Sequence, residues 1–198
     1  MDELQQIQQA LAGDLEAFNQ LVLEYQTTVY AYAYWLVHNR ETAEDLTQEA
    51  FIRAFLNLKQ YRGGSFRAWL LRIVGNASLD ELRRMKRHQN LSLTCFDQDG
   101  EEVENNTWLR DPDCSVEEKV EQKEFQERLQ GYIAELPEEY RSAVLLVDLF
   151  EMDYSEAAVA MAVPIGTVKS RLARARMLLR NRLNGDMQLL PNSEYEFA

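Results

Sequence analysis

Residues 154–182 read YSEAAVAMAVPIGTVKSRLARARMLLRNR. This stretch predicts a short helix, a tight turn and a second helix, which is the helix-turn-helix pattern. Ser155 is expected to cap the short helix, Glu156–Met161, because its hydroxyl can accept from the free N–H groups at a helix start. Ala162–Val163 marks the turn. Pro164 suits the first position of the next helix, where its missing N–H is harmless.

The second helix of this pattern is basic. It carries six cations and no acid: Lys169, Arg171, Arg174, Arg176, Arg180 and Arg182. Like charges on one helix repel one another unless a polyanion faces them. The side chains that can reach base edges and phosphates in a major groove are Thr167, Ser170, Arg171 and Arg174. Lys169 and Arg176 suit the phosphate backbone. The alternative interpretation is a solvated basic face on an ordinary helical hairpin.

Residues 1–90 predict a succession of helices, because apolar residues recur at steps of three and four. Thr42 is expected to cap one helix. Ser65 is expected to cap another, after a loop with paired glycines. One face of that last helix carries Arg72, Asn76, Asp80 and Arg83. Asn76 can read a base edge and the arginines can hold phosphates, while Asp80 is expected to orient a neighbouring arginine or asparagine. A solvated polar stripe is the alternative.

The acidic motif Glu44-Asp45-x-x-Gln48-Glu49 lies at the start of a predicted helix. Carboxylates at this position commonly do no more than complement the positive end of the helix dipole. The residues alone therefore leave open whether this motif binds a partner.

The net charge of −12 is unevenly distributed along the 198 residues. Residues 1–90 carry net −1, residues 91–130 net −8 and residues 131–183 net 0, while the tail from Asn184 has three acids and no base. Each near-neutral block ends in a basic cluster. We therefore predict an all-α chain with two small helical domains, 1–90 and 125–184, joined by an acidic flexible linker at 91–124 and followed by a tail at 185–198.

Several classes of function are disfavoured by the sequence. His38 and His88 are isolated, and neither a phosphate-binding loop nor a nucleophile elbow occurs, so we expect no enzyme, no metal and no cofactor. Cys95 and Cys114 form neither a zinc motif nor a disulfide framework. No apolar run approaches a membrane span, and the acidic N-terminus argues against a signal peptide. The expected location is the cytoplasm.

With these residues in view, the chain resembles the extracytoplasmic-function sigma factors of bacterial RNA polymerase. The resemblance is carried by four strings in order: Ala12-Gly13-Asp14 with Ala17-Phe18 and Tyr25; Thr42–Phe51; Phe66–Leu70 through Asn76 and Asp80 to Arg84; and Leu136-Pro137-Glu138 followed by Gly166–Leu172 with Arg174-Ala175-Arg176. All four strings occur in the order and separation that the family shows.

The resemblance implies three interfaces on a factor that directs promoter recognition, −10 melting and initiation. The clamp helices of the polymerase β′ subunit would bind Asp45, Gln48, Glu49 and Phe55. The −10 element would contact Tyr61, Arg62, Ser65, Arg72, Asn76, Asp80, Arg83 and Arg84, with the loop Tyr61–Ser65 accepting a flipped base. The −35 element would contact Thr167, Lys169, Ser170, Arg171, Arg174 and Arg176. The polymerase β flap and an anti-sigma protein are further implied partners. A small-molecule substrate and direct membrane insertion are not.

The turn departs from the family pattern, because Ala162 stands where glycine is usual. A left-handed alanine costs roughly 1 kcal/mol, so either the strain is accepted or the turn is wider. Ala158 is expected where the two helices cross closely, and Val168 is expected to bury against the first helix.

Two other classes of function remain as alternatives. A stand-alone helix-turn-helix regulator would bind its operator without polymerase, and an interaction protein with an acidic partner would bind neither DNA nor polymerase. Co-purification with core polymerase, followed by promoter-dependent transcription, discriminates among the three.

Overall fold

The computed structural model describes residues 3–91 and 128–187, with side chains in 3–87 and 128–184. The first domain is a bundle of four helices. They are α1 (Glu3–Leu11), α2 (Leu15–Val37), α3 (Arg40–Asn57) with a 3₁₀ turn at Leu58–Gln60, and α4 (Phe66–Leu91). Of the predicted linker and tail, Leu91 belongs to α4 and residues 185–187 to α8, and the rest lies outside the described residues, as do Cys95 and Cys114.

The second domain is also helical. Its elements are α5 (128–135), α6 (Glu138–Val144) with a π-helical turn at Leu145–Leu149, α7 (Tyr154–Met161) and α8 (Ile165–Met187). Helices α7 and α8 form the predicted helix-turn-helix. No strand occurs in 3–91 or 128–187, and the all-α fold is confirmed. None of the described helices is both long and apolar enough to cross a membrane.

Two of the three predicted N-cap residues were wrong, because in each case a residue less than one helical turn earlier caps the helix. The Asn39 side chain, not Thr42, caps α3 by accepting from the Thr42 amide at 2.9 Å. Asp153, not Ser155, caps α7, and its carboxylate accepts from the Ser155 and Glu156 amides. Each helix starts at the earlier of two residues able to cap it. Ser65 does cap α4, because its hydroxyl accepts from the Ala68 amide at 3.2 Å.

The turn between α7 and α8 is tight and strained at one residue. Ala162 has φ 53° and ψ 41°, the left-handed conformation, and its amide donates to carbonyls of α7. The wider turn considered from the sequence is therefore not formed. Val168 is fully buried, as expected. Ala158 is half-buried against the core, and the fully buried small residues of α7 are Ala157 and Ala160.

The two domains contact each other directly. Helix α4 packs against α7, and a few residues of α2 contact α6. At this contact Tyr32 of the first domain meets Phe150 of the second edge-on, with ring centroids 5.7 Å apart, and both side chains are buried. The apolar cores of the domains are therefore continuous. The sequence predicted two domains joined by a flexible linker and left their relative arrangement open.

Candidate nucleic-acid and polymerase interfaces

The basic helix α8 presents two different faces. At about 100° per residue, Thr167, Ser170, Arg171 and Arg174 fall within one third of the helix circumference, close to its N-terminus. Arg174 and Ser170 are exposed, and Arg171 is half-buried. Among the described residues Arg171 and Arg174 have no ion-pair partner. This face therefore has cations free to meet an anion.

The second face of α8 is already paired with acidic or aromatic groups. Arg176 makes a bidentate ion pair with Asp148, at 2.5 and 3.0 Å, and this hydrogen bonding raises the pKa of Arg176. The Lys169 ammonium lies 5.4 Å from the centre of the Tyr154 ring, at cation–π distance. Both side chains remain exposed. A phosphate at Arg176 would have to share that arginine with Asp148.

The predicted face of α4 is exposed as a single stripe of Arg72, Asn76, Asp80 and Arg83. The opposite side of the helix holds Leu71 and Val74 in the core, fully buried. Arg83 Nη1 lies 3.3 Å from Asp80 Oδ1, which is the orienting contact expected for Asp80. Arg84 is paired with Glu81 at 2.8 Å.

The loop between α3 and α4 is built on an aromatic cluster. Gly63 and Gly64 have φ of 89° and 93°, which a side chain would make costly. The Tyr61 hydroxyl donates to the Gly64 carbonyl at 2.6 Å, and its ring packs on Phe66 and Trp69, 5.4 and 5.5 Å away. Arg62 is exposed. The loop is thus a rigid turn with aromatic rings beneath it.

The predicted polymerase-binding residues share one exposed face of α3. Asp45, Gln48 and Glu49 lie towards its N-terminal end, and Phe55 lies near its C-terminal end. Phe55 is 43% exposed although its ring edge touches Phe18, with centroids 5.1 Å apart. An exposed aromatic ring of this size is a common anchor in protein interfaces.

Sequence reasoning missed two residues of this α3 face. Ile52 and Leu56 are 61% and 73% exposed. They follow Asp45 by seven and eleven positions, which places them on the same face of the helix. That helical spacing from Asp45 is the signal in the sequence that could have found them. The face is therefore acidic at one end and apolar at the other.

Arg141 was also missed, and it is the most unusual cation of the described chain. Its buried guanidinium donates only to backbone carbonyls, those of Leu36, Ile133, Ala134 and Leu136. Burial lowers the pKa of Arg141. The signal in the sequence was a cation just before the apolar run 143–147. A charged side chain beside a buried segment must itself find hydrogen-bond acceptors, because an unpaired buried charge is costly.

The two surfaces predicted to bind DNA meet in a single cleft. Asn76, Asp80 and Arg83 of α4 line a cavity of about 420 Å³ together with Arg171 of α8 and Glu138 of α6. The α3 face contributes nothing to this cavity. In the described parts of the chain, no group of three or more His, Cys, Asp or Glu residues could hold a metal ion.

These features define a two-domain helical protein with a helix-turn-helix and a second polar, partly cationic helix. The chain matches the sigma-70 region 2 family over residues 21–88 and a sigma-70 region 4 family over residues 126–179. It is 32% identical to the ECF RNA polymerase sigma factor SigW of Bacillus subtilis, over 89% of this chain and 94% of that protein. It is 36% identical to SigE of Mycolicibacterium smegmatis, over 85% of this chain but 62% of that longer protein.

A solved structure is similar as well. The sigma factor RpoE of Bartonella quintana, in complex with the anti-sigma factor NepR, is 25% identical, with a TM-score of 0.62 over 86% of this chain and 98% of that one. The chain belongs to the extracytoplasmic-function sigma factors of RNA polymerase. It is an alternative sigma factor that directs transcription initiation.

Proposed function

We propose that this factor binds core RNA polymerase through α3 and reads promoter DNA with α4 and α8. In this proposal residues 1–90 serve the −10 element and residues 125–184 the −35 element, joined by the linker 91–124. The observation that supports it is that three helices expose faces of different chemistry: α3 is acidic and apolar, α4 is polar and partly cationic, and the start of α8 is cationic. The factor would work in the cytoplasm, where polymerase and DNA are, and would hold no catalytic centre of its own.

The polymerase contact rests on the exposed face of α3. Carboxylates of Asp45 and Glu49 would meet cationic side chains of the β′ clamp helices, and Phe55 would fill an apolar site. Gln48 lies between them on the same face. Ile52 and Leu56, both more exposed than Phe55, are added to this surface. Acidic steering combined with an apolar anchor supports fast and specific docking.

The −10 contact rests on the exposed stripe of α4 and the loop before it. Arg72, Arg83 and Arg84 would neutralise phosphates, and Asn76 would meet a base edge. Asp80 would hold Arg83 in place through their ion pair. The rigid loop Tyr61–Ser65, with Arg62 exposed and aromatic rings below, would accept an unstacked base, because aromatic faces offset the loss of stacking.

The −35 contact rests on the N-terminal half of α8. Thr167, Ser170, Arg171 and Arg174 would enter the major groove, as the second helix of a helix-turn-helix does. Lys169 and Arg176 would contact the phosphate backbone, although both lie on the other face of α8 and hold partners within the domain. The division between base-reading and backbone-contacting residues follows from their positions around the helix.

Two further partners are proposed. An apolar groove of about 330 Å³ between α5 and α8, lined by Tyr132, Leu136 and Leu178, suits an apolar segment such as the polymerase β flap. An anti-sigma protein is proposed because the similar Bartonella quintana factor is described in complex with one.

The polymerase contact is tested by core binding of Asp45→Arg. We expect this reversal of charge to abolish capture of the chain by core polymerase while leaving its thermal unfolding unchanged, since Asp45 is exposed. Glu24→Arg, at an exposed acid of α2, is the matched control and should bind as the wild type does. Equal capture of both variants would reject the α3 surface. Failure of the wild-type chain to bind core polymerase would reject the proposed function itself.

A further inference from the structure

We propose that Tyr25 of α2 is a positioning residue for −10 melting, which holds the loop before α4 in the shape that accepts an unstacked base. Tyr25 acts on the loop through the Phe66 ring, and Glu3 at the start of α1 fixes its hydroxyl. The inference rests on the proposed function, because it adds these residues to the proposed −10 site and gives α1 a part in strand opening.

The Tyr25 side chain joins α1 to α2. Its hydroxyl donates to the Glu3 carboxylate at 2.6 Å, across 22 positions of the chain. A hydrogen bond to an ionised acceptor is shorter and stronger than one between neutral groups. Burial raises the pKa of Tyr25, and the bond to Glu3 raises it further. The hydroxyl therefore keeps its proton at neutral pH and remains a donor.

A chain of ring contacts leads from Tyr25 to the loop. The Tyr25 ring packs on the Phe66 ring, with centroids 5.7 Å apart, and Phe66 is the first residue of α4 and only 2% exposed. Phe66 meets Tyr61 edge-on at 5.4 Å, and the Tyr61 hydroxyl donates to the Gly64 carbonyl at 2.6 Å. In a closely packed cluster one ring cannot move without displacing the next. The position of Tyr25 therefore sets the position of the loop.

The loop needs support from outside itself. Gly63 and Gly64 are adjacent, with φ of 89° and 93°, and glycine loses more conformational freedom on ordering than any other residue. A side chain built at either glycine would meet no atom within 4 Å, so a base can approach the backbone there. A loop that is already held in shape loses less entropy when it accepts a base. The unpairing cost is then more fully offset.

Tyr25→Phe keeps the ring and removes only the hydroxyl, so it tests the bond to Glu3. The probe is holoenzyme, formed from the full chain and core polymerase, on a duplex with the strongest start site that the wild type uses on genomic DNA. We expect strand opening, followed by permanganate oxidation of unpaired thymines near −10, to slow about threefold. Affinity in the closed complex at low temperature should be unchanged, because the variant leaves the cations of α4 and α8 in place.

Positioning of the loop is separated from a general loss of rigidity by removing the base itself. One abasic site is placed in turn at each −10 position of the non-template strand. At the captured position the wild-type and Tyr25→Phe holoenzymes should open the duplex equally fast, because the loop then has no base to accept. At the other positions the difference should remain. A difference that persists at every position would overturn the proposal.

The part played by Glu3 is tested by a double-mutant cycle. Glu3→Ala should slow opening by the same factor as Tyr25→Phe, and the double variant should be no slower than either, because both remove one bond. Glu3→Gln keeps an acceptor oxygen and should be faster than Glu3→Ala. Additive slowing in the double variant would contradict the proposed bond.

Tyr34→Phe is the matched control on the same helix. It removes the hydroxyl of a ring that packs on Tyr30 and His38, away from the loop, and should leave the opening rate unchanged. A wild-type rate for Tyr25→Phe, or equal slowing by Tyr25→Phe and Tyr34→Phe, would overturn the proposal. Promoter-dependent starts by the wild-type holoenzyme would in either case leave the proposed function standing.

Discussion

The guanidinium of Arg141 donates a hydrogen bond to the backbone carbonyl of Leu36, 105 positions earlier in the chain. The same group donates to carbonyls of Ile133, Ala134 and Leu136 near the end of α5. One side chain therefore closes the loop before α6 and joins the second domain to the C-terminal end of α2. All the hydrogen bonds of this guanidinium go to backbone carbonyls, and the charge of the mostly buried Glu138 offsets part of the cost of burial.

Arg141→Ala is expected to lower the free energy of unfolding by about 3 kcal/mol, because charge-assisted bonds are lost and buried carbonyls are left without donors. Urea denaturation monitored by circular dichroism measures the change. The exposed Arg180→Ala on α8 is the control and should stay within about 0.5 kcal/mol of the wild type. Similar stabilities of the two variants would show that the carbonyl contacts of Arg141 contribute little.

Tyr32 should make the fold sensitive to alkali. Burial raises its pKa to about 12 from the ordinary value of 10.0. Between these two pH values the folded state retains a proton that the unfolded state releases. The contribution of this proton to the free energy of unfolding is therefore fully present below pH 10 and is lost as the pH rises towards 12. The loss amounts to about 3 kcal/mol. Tyr32→Phe should remove this part of the pH dependence in urea titrations between pH 9 and 12. An identical pH profile for the variant would contradict the assignment.

Ala162→Gly is expected to stabilise the second domain. The residue has φ 53°, where alanine is strained by about 1 kcal/mol and glycine is not. The greater conformational entropy of glycine in the unfolded chain offsets part of this stabilisation. Thermal unfolding should show a higher midpoint, whereas the same substitution at exposed Ala173 within α8 should lower it. A lower midpoint for Ala162→Gly would mean that the turn is not strained.

Arg171→Ala is expected to weaken −35 recognition by the holoenzyme roughly tenfold, because one base or phosphate contact is worth about 1–3 kcal/mol, while core binding is unchanged. Arg180→Ala is the matched control, since Arg180 is exposed more than two turns further along the same helix, beyond the residues proposed to contact DNA. Promoter affinity measured over a range of salt concentrations separates the two. Equal affinities for the Arg171 variant and the wild type would defeat the −35 assignment.

Much of each domain was predictable because local patterns determine it. Helical spacing of apolar residues predicted the all-α fold, and the break at Ala162 before Pro164 predicted the helix-turn-helix. The polar stripe from Arg72 to Arg83 followed from the same spacing. The caps of α3 and α7 were placed too late because two capping residues lie within one turn of each other, and the pattern alone does not choose between them.

The docking of the domains could not be predicted in this way. Lys86 and Glu138 are separated by 52 positions, and Leu36 and Arg141 by 105. No periodicity along the chain relates residues so far apart, because such contacts depend on how apolar faces from both domains bury one another. Ile52 and Leu56 were missed for a related reason. An apolar side chain at helical spacing is ordinarily part of a core, and only the packed structure shows which ones remain exposed.

The central claim is that this chain gives core polymerase the ability to start at promoters with two separated elements. The most direct measurement is transcription in vitro by core polymerase, with and without the chain, on genomic DNA of the organism that encodes it, followed by sequencing of transcript 5′ ends. The account predicts discrete starts that depend on the chain, that are lost with Asp45→Arg, and that share two short motifs near −10 and −35. Starts that are the same with and without the chain would contradict it.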